Sequence, residues 1–301
     1  MHTENQKVNL PILEEKKVSL FIKREDTIHP LISGNKYRKL KYNIKKAKIA
    51  QYQTLLTFGG AFSNHILATA SAAQENGLKS VGIIRGEELA FRWKDNPTLA
   101  KAAALGMRLK FVSRNDYRNK HTDEFIEQLK AEYGYFYLLP EGGTNDLAIK
   151  GCEEILTEED SRFNLVCSSV GTGGTIAGII NSLSLGQKVL GFPALKGDFL
   201  KEDICKFATK GGWNLQMDYH FGGYGKVSAE LINFINDFKK ETQIPLDPIY
   251  TGKMMFGILD MVKKDNFEPD TIILAIHTGG LQGRIGMNKI LKKKNLPLID
   301  L

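Results

Sequence analysis

The 301-residue sequence lacks a long hydrophobic run, since its longest clean apolar stretch, residues 271–276, is far too short to span a bilayer. It also lacks the pattern of a targeting segment: residues 1–17 are polar and include acidic side chains, unlike a secretory signal or a transit peptide. We therefore expect no membrane association and a cytoplasmic location.

Cysteine is scarce. The three cysteines, Cys152, Cys167 and Cys205, lie far apart, form no CxxC pair and have no histidine nearby at ligand spacing. An odd count without motif spacing argues against a disulfide framework and against a zinc site, so no metal is expected. We interpret the three as core or incidental residues.

Positive charge is in excess, with a net charge of +7 that is concentrated in residues 36–48 and 289–294. In the first cluster Leu40, Ile44 and Ala47 fall at helical spacing, which predicts an amphipathic helix with a solvated basic side. The lysines assigned to that side are Lys39, Lys41, Lys45, Lys46 and Lys48. Neither interleaved aromatic residues nor a recognisable nucleic-acid module accompanies them, so we expect no nucleic-acid partner.

Strand-like and helix-like segments alternate along the chain. Apolar runs predict strands at 18–22, 54–58, 81–84, 109–112, 135–139, 165–168, 189–192 and 271–276. Helices are predicted at 62–76, 123–133, 175–183, 227–239 and 252–263. This order is typical of an α/β protein with parallel-rich sheets covered by helices. No fixed repeat or low-complexity linker is present, so a second domain would be inserted in the first.

Four turns rich in small polar residues occupy positions where strands end or helices begin, where α/β proteins bind ligands. They are residues 33–40, 59–65, 168–175 and 277–280.

The third turn has the composition of an anion site. Its glycines let backbone amides turn inward, Thr172 and Thr175 add hydroxyl donors, and a helix N-terminus follows. It is neither a dinucleotide fingerprint, because Ile176 stands where the last glycine would be, nor a Walker loop. It predicts a phosphate site, with a purely structural turn as the alternative.

Lys36 follows a Ser-Gly-Asn turn, where a lysine can point into a cleft. Burial and neighbouring cations would there lower its pKa and make it a nucleophile able to form a Schiff base. The alternative is an ordinary solvated helix residue.

Ser63, Asn64 and His65 begin a predicted helix. They can cap it, cradle a carboxylate, or do both.

Seven segments in one order carry a resemblance to a known family: 22–26, 34–40, 59–65, 140–145, 170–175, 246–253 and 277–280. Together they resemble the 1-aminocyclopropane-1-carboxylate deaminase and D-cysteine desulfhydrase family, within the tryptophan synthase β-like, fold-type II pyridoxal phosphate enzymes. The resemblance implies pyridoxal 5'-phosphate, a small amino-acid substrate, and a homodimer. It also implies a smaller domain at 50–156, inserted in a larger one formed by 1–49 and 157–301, with the active site between them.

The same resemblance implies roles. Lys36 would carry the cofactor covalently, Asn64 would lie beside its phenolic oxygen, and Thr278 would lie near its pyridine nitrogen. The residues matching the phosphate loop are Val170, Gly171, Thr172, Gly173, Gly174 and Thr175. Ser63 and His65 would surround the substrate carboxylate together with Asn64, and Tyr250 would face the substrate, with Lys36, Ser63 and Tyr250 acting in catalysis.

Two departures bear on the substrate. Thr251 stands where the deaminase has a glutamate that keeps the pyridine nitrogen protonated, so the electron sink would be weaker. This favours β-elimination from D-cysteine, giving pyruvate, ammonia and sulfide, over opening of aminocyclopropane carboxylate to 2-oxobutyrate and ammonia. Phe62 replaces a usual glutamine and could reshape the pocket. A binding protein without turnover is the remaining alternative.

Overall fold

The computed structural model describes residues 2–197 and 199–301. Within these ranges the chain forms ten strands. They are β1 (Asn5–Val8), β2 (Ser19–Lys23), β3 (Thr54–Gly59), β4 (Lys79–Arg85), β5 (Met107–Val112), β6 (Tyr137–Leu139), β7 (Leu165–Val170), β8 (Lys188–Pro193), β9 (Trp213–Leu215) and β10 (Ile272–Ile276).

Helices connect most of the strands. They are α1 (Pro11–Glu15), α2 (Asn35–Ile49), α3 (Asn64–Glu75), α4 (Pro97–Ala104), α5 (Asp123–Tyr133), α6 (Asp146–Cys152), α7 (Gly174–Asn181), α8 (Phe199–Cys205), α9 (Ala229–Thr242), α10 (Thr251–Lys263) and α11 (Gly283–Lys293). None of these helices is long and apolar enough to cross a bilayer.

The strands form two sheets. The larger has the order β1-β2-β10-β7-β8-β9 and is parallel except for the antiparallel pairing of β1 with β2. The smaller has the order β5-β4-β3-β6 and is parallel throughout. The prediction of an α/β chain with parallel-rich sheets is therefore confirmed.

Helices cover both faces of the larger sheet, as alternation along β10 demonstrates. Ile273 and Ala275 join a core with α9 and α10, whereas Leu274 and Ile276 join a core with α7 on the opposite face. A strand buried on both faces reads as one apolar run, and this explains why β10 was predictable from sequence.

The predicted strands are all present, with ends shifted by a few residues, but two edge strands were missed. β1 and β9 contain charged and polar residues and are only 4 and 3 residues long, so they carry little hydrophobic signal.

Helix α2 is amphipathic as predicted. Leu40, Ile44 and Ala47 pack in one core with Leu55 of β3 and Ala68 of α3. The lysines that reach solvent are Lys41, Lys45, Lys46 and Lys48. The prediction was wrong for Lys39, which is only 1% exposed.

All four strands of the smaller sheet lie inside residues 54–139. This segment falls within the predicted inserted domain at 50–156. The domain boundaries themselves stay a prediction, since α2 also packs on the smaller sheet.

A buried ion pair links β2 of the larger sheet to the segment before β7. Lys23 of β2 donates to Asp160 at 2.7 Å, and both side chains are 1% exposed. Burial opposes ionisation of Asp160, but hydrogen bonds from Lys23, Thr157 and Asn5 outweigh it and lower the pKa of Asp160. The pair therefore stabilises the fold at neutral pH and loses its contribution in acid.

Asp160→Ala should lower the free energy of unfolding by ~3–5 kcal/mol, because it leaves the buried Lys23 ammonium without its carboxylate and with only a long contact to Asn5 Oδ1 at 3.4 Å. Urea denaturation measures the change. Glu159→Ala is the matched control, since the neighbouring carboxylate is 72% exposed and should change stability little. Equal stabilities of the two variants would contradict the assigned role of the pair.

Candidate functional site

Three of the four predicted turns meet at the start of α2. Gly34 has φ +61°, and a Cβ there would lie 1.9 Å from the carbonyl oxygen of Thr278, so no side chain fits. The Asn35 amide N–H donates to the same oxygen at 3.3 Å, and the Asn35 side chain donates to Thr175 Oγ1 at 2.7 Å. Three turns are thus adjacent: the Lys36 turn (residues 33–40), the glycine-threonine turn (residues 168–175) and the turn after β10 (residues 277–280).

Two lysines of the first turn of α2 point toward the loop before α6. Lys36 Nζ lies 3.5 Å from the carbonyl oxygen of Gly142. Lys39 Nζ donates to the same oxygen at 3.1 Å and to Thr144 Oγ1 at 3.0 Å. These oxygens explain why Lys39 can be buried although its spacing suggested a solvated position.

Burial, followed by the neighbouring Lys39 cation, lowers the pKa of Lys36 to about 7. A substantial fraction of the Lys36 amine is therefore uncharged at neutral pH. This is the state in which a lysine attacks a carbonyl.

The glycine-threonine turn faces the same loop. Gly173 has φ +78° and caps α7, while a Cβ at Gly174 would lie 2.7 Å from Thr144 Oγ1 and 3.1 Å from Lys39 Nζ. Thr172 Oγ1 lies 2.8 Å from Thr144 Oγ1. Hydroxyls, a helix N-terminus and one ammonium group therefore converge where the sequence predicted a phosphate.

The strand before this turn ends at Val170, which is buried, and Gly171 follows. A Cβ at Gly171 would lie 3.2 Å from the Tyr250 ring. Tyr250 thus lies beside residues 170–175, and its role facing the substrate stays a prediction.

The turn after β3 caps α3, whereas its role as a carboxylate cradle stays a prediction. Ser63 caps α3 by accepting from the Ile66 amide at 3.4 Å. Asn64 Oδ1 accepts from Gln282 at 2.5 Å, which links α3 to the segment after β10. A Cβ at Gly143 would lie 2.7 Å from the His65 ring. The turn therefore lies against the loop that receives the two lysines.

His65 is 1% exposed, and within the described chain its ring nitrogens make no hydrogen bond of good geometry, although the Pro140 backbone acts on the ring. Burial, followed by the Lys36 and Lys39 cations, holds the pKa of His65 well below its ordinary value. The ring is neutral at pH 7 and offers one donor and one acceptor to a ligand.

Two tyrosines lie on the other side of the glycine-threonine turn. The Tyr250 and Tyr224 rings meet edge to face, with centroids 6.2 Å apart. Burial, and then the neighbouring Tyr224 hydroxyl, raises the pKa of Tyr250 well above its ordinary value. Tyr250 is therefore a neutral phenol at physiological pH.

The two threonines near the predicted pyridine nitrogen already have partners. Thr251 Oγ1, at the start of α10, donates to Oδ1 of Asp247 in the preceding loop at 2.7 Å. Thr278 Oγ1 lies 3.2 Å from Ser169 Oγ. Both positions offer hydroxyls rather than a carboxylate.

Phe62 turns toward α11. A Cβ at Gly286 would lie 2.5 Å from the Phe62 ring, so the ring lies against the backbone of that helix. The Phe62 substitution is thus accommodated by the glycine opposite it.

Sequence reasoning missed three residues of the site: Lys39, Tyr224 and Gln282. Lys39 follows Lys36 by three residues and so shares its helix face, a signal that was available. Tyr224 lies in the sequence Gly-Gly-Tyr-Gly, whose glycines indicate a loop with an unusual backbone conformation. No local pattern singles out Gln282.

A phosphorylated aldehyde cofactor fits this arrangement. The Lys36 amine can react with an aldehyde, and the glycine cradle with Lys39 suits a phosphate. The incompletely bonded nitrogens of the buried His65 ring suit a polar ligand nearby, since a buried polar group gains from a hydrogen-bond partner.

Comparisons with known proteins agree with a site for such a cofactor. The chain is 32% identical over 289 residues to a Pyrococcus horikoshii protein provisionally named 1-aminocyclopropane-1-carboxylate deaminase, covering 90% of this chain and 87% of that one. It is 31% identical over 304 residues to the mitochondrial bifunctional D-cysteine desulfhydrase/1-aminocyclopropane-1-carboxylate deaminase of Arabidopsis thaliana, covering 91% and 75%.

A crystal structure of an ACC deaminase homologue superposes with a TM-score of 0.81 and 28% identity, covering 97% of this chain and 94% of that chain. The predicted fold-type II architecture is thereby confirmed. Residues 3–279 match the family described as pyridoxal-phosphate dependent enzymes. The chain belongs to that family, and pyridoxal phosphate is its cofactor.

Proposed function

We propose that this enzyme eliminates the β-substituent of a small amino acid, with D-cysteine as the preferred substrate and pyruvate, ammonia and sulfide as products. The observation that supports this most directly is the Lys36 amine, whose pKa is lowered to about 7 beside the glycine-threonine turn. A reactive amine next to a phosphate cradle is what covalent attachment of this cofactor requires.

The cofactor would be held at three places. Lys36 would hold its aldehyde carbon, the turn from Val170 to Thr175 with Lys39 would hold its phosphate, and Asn64 and Thr278 would lie beside its ring. When bound, pyridoxal phosphate delocalises the electron pair left at the substrate α-carbon.

The substrate carboxylate would bind at the start of α3. Ser63 and Asn64 lie at this helix N-terminus, where backbone amides and the helix dipole favour an anion. The neutral His65 ring can donate one further hydrogen bond. The carboxylate would supply a further partner to the buried ring.

Lys36 would act as the base. Once the substrate amine has displaced it, its amine can remove the α-proton, since a pKa of about 7 leaves a large uncharged fraction. Tyr250 is poorly suited to this step because its raised pKa keeps it protonated. Its neutral hydroxyl is better suited to donate a hydrogen bond to the departing sulfur.

The preference for D-cysteine rests on Thr251 and Thr278. Their hydroxyls cannot hold a full proton on the pyridine nitrogen as a carboxylate would. Loss of a thiolate requires less electron withdrawal than opening an unactivated cyclopropane. Deamination of aminocyclopropane carboxylate is the second candidate, favoured by the name of the Pyrococcus relative, whereas the name of the Arabidopsis relative carries both activities.

A homodimer, a cytoplasmic location and the lack of a nucleic-acid partner also stay predictions. The homodimer rests on family resemblance alone, and light scattering on the purified protein would test it. The Arabidopsis relative is mitochondrial by its name. For nucleic acid, binding that weakens steeply with salt would contradict the prediction.

Lys36→Ala should remove both covalent cofactor and turnover. Activity should fall by ~10²–10⁴-fold, the range for loss of an acid–base group, and borohydride should no longer fix a chromophore to the protein. Lys45→Ala is the matched control, since Lys45 is an exposed lysine of the same helix. A Lys36→Ala protein that still carries reducible, covalently bound cofactor would remove Lys36 from this role.

Capture of pyridoxal phosphate by the cofactor-free enzyme should depend on pH. Because the uncharged amine is the attacking form, the rate should rise with pH through about 7 and then level off. An unperturbed lysine would give a rise near pH ~10.4. Stopped-flow absorbance measures the rate, and a midpoint near the unperturbed value would contradict burial of the Lys36 amine.

Sulfide formation from D-cysteine should exceed oxobutyrate formation from aminocyclopropane carboxylate in kcat/KM by about tenfold or more, or ~1.4 kcal/mol of transition-state stabilisation. Steady-state assays of both products on one preparation decide the point. Oxobutyrate without sulfide would reverse the assignment, and an intact cofactor spectrum without either product would favour a binding protein.

A further inference from the structure

Lys253, in the first turn of α10, is 2% exposed. Its Nζ donates to the carbonyl oxygens of His220 and Gly223, each at 2.8 Å. Both partners are backbone carbonyls of one loop rather than carboxylates. Burial lowers the pKa of Lys253 to about 8, so the group is still mainly charged at pH 7. Burying an ammonium group costs free energy, and this cost indicates that the contacts of Lys253 have a specific role.

The loop that Lys253 holds is rich in glycine. Gly222, Gly223 and Gly225 have φ values of +87°, +112° and +69°, so the backbone there adopts conformations that other residues avoid. Such a segment loses much conformational entropy when it is ordered. It therefore needs contacts that fix its backbone directly.

Packing fixes the N-terminal side of the loop on the same helix. The Tyr219 hydroxyl donates to Asp260 at 2.6 Å, and the Phe221 ring meets Phe256 with centroids 5.0 Å apart. The glycines beyond Phe221 have no side chains to pack. The Lys253 ammonium binds the backbone at this point.

The carbonyl of Gly223 belongs to the peptide bond that leads into Tyr224. Tyr250 is the N-cap of α10, three residues before Lys253. The start of α10 thus carries both Tyr250 and Lys253, and Lys253 binds the backbone next to Tyr224. The relative positions of the two phenols depend on this part of α10.

We propose that Lys253 is a positioning residue that clamps the 220–225 loop and thereby sets the Tyr224 hydroxyl against Tyr250 and the substrate. The inference rests on the proposed function for the importance of the two phenols, but the clamp itself does not. Misplacement of a reacting group by about 1 Å costs ~100-fold in rate, so loss of the clamp should reduce turnover without removing a reacting atom.

The clamp is tested on the holoenzyme by hydrogen–deuterium exchange in Lys253→Met, a side chain of similar length without donors. Peptides covering 219–227 should exchange about tenfold faster or more, whereas the bound-cofactor absorbance stays unchanged. Lys263→Met is the control, since Lys263 is an exposed lysine of the same helix. Unchanged exchange in 219–227 overturns the clamp. If Lys253→Met does not fold, Lys253→Gln, which keeps a donor but lacks the charge, takes its place.

The positioning role is tested by a double-mutant cycle with Tyr224→Phe. Lys253→Met should lower kcat about tenfold or more with KM nearly unchanged, and should have little further effect in the Tyr224→Phe background. A full additional loss in the double variant overturns action through Tyr224. If Tyr224→Phe alone leaves kcat unchanged, the proposed function of that phenol fails, and the exchange experiment still decides the clamp.

Discussion

The site depends on two lysines on one turn of α2, of which Lys39 is buried and Lys36 is half-buried. Lys39 keeps its ammonium in contact with Gly142 and Thr144, and residues three apart on a helix share a face. Its charge therefore acts on Lys36, which burial has already shifted toward the neutral form. The reactive amine is a consequence of placing two like charges where water is scarce, and the surrounding fold must compensate that cost.

That compensation comes from how tightly α2 is held. At its start, Gly34 admits the Thr278 carbonyl, and one turn later a Cβ at Gly151 would lie 2.0 Å from the Arg38 carbonyl oxygen. The Arg38 guanidinium makes a two-bond contact with the buried Glu25 carboxylate. These close contacts leave α2 little freedom to swing the lysines into solvent. Rigid support of this kind keeps a costly site preorganised.

Sequence patterns predicted the parts of this arrangement that are local. Composition predicts strands that are buried on both faces, such as β10, and it predicts glycine-rich turns. These two features located the neighbourhood of Lys36. Lys39 was misjudged because apolar spacing alone marked only the Leu40 side of the helix as buried. Its partners come from a loop about 100 residues away, and such contacts leave no trace in the periodicity of the helix.

Tyr224 was missed for a related reason, since its position depends on a contact between its loop and α10. With Tyr224 included, the pKa shifts in the site have opposite signs on its two sides. Lys36 has a lowered pKa, and Tyr250 and Tyr224 have raised ones. A base on one side of the glycine-threonine turn and neutral phenols on the other suit removal of a proton at the α-carbon and hydrogen bonding to a leaving group. The same chain thus uses burial to make an amine less basic and phenols less acidic.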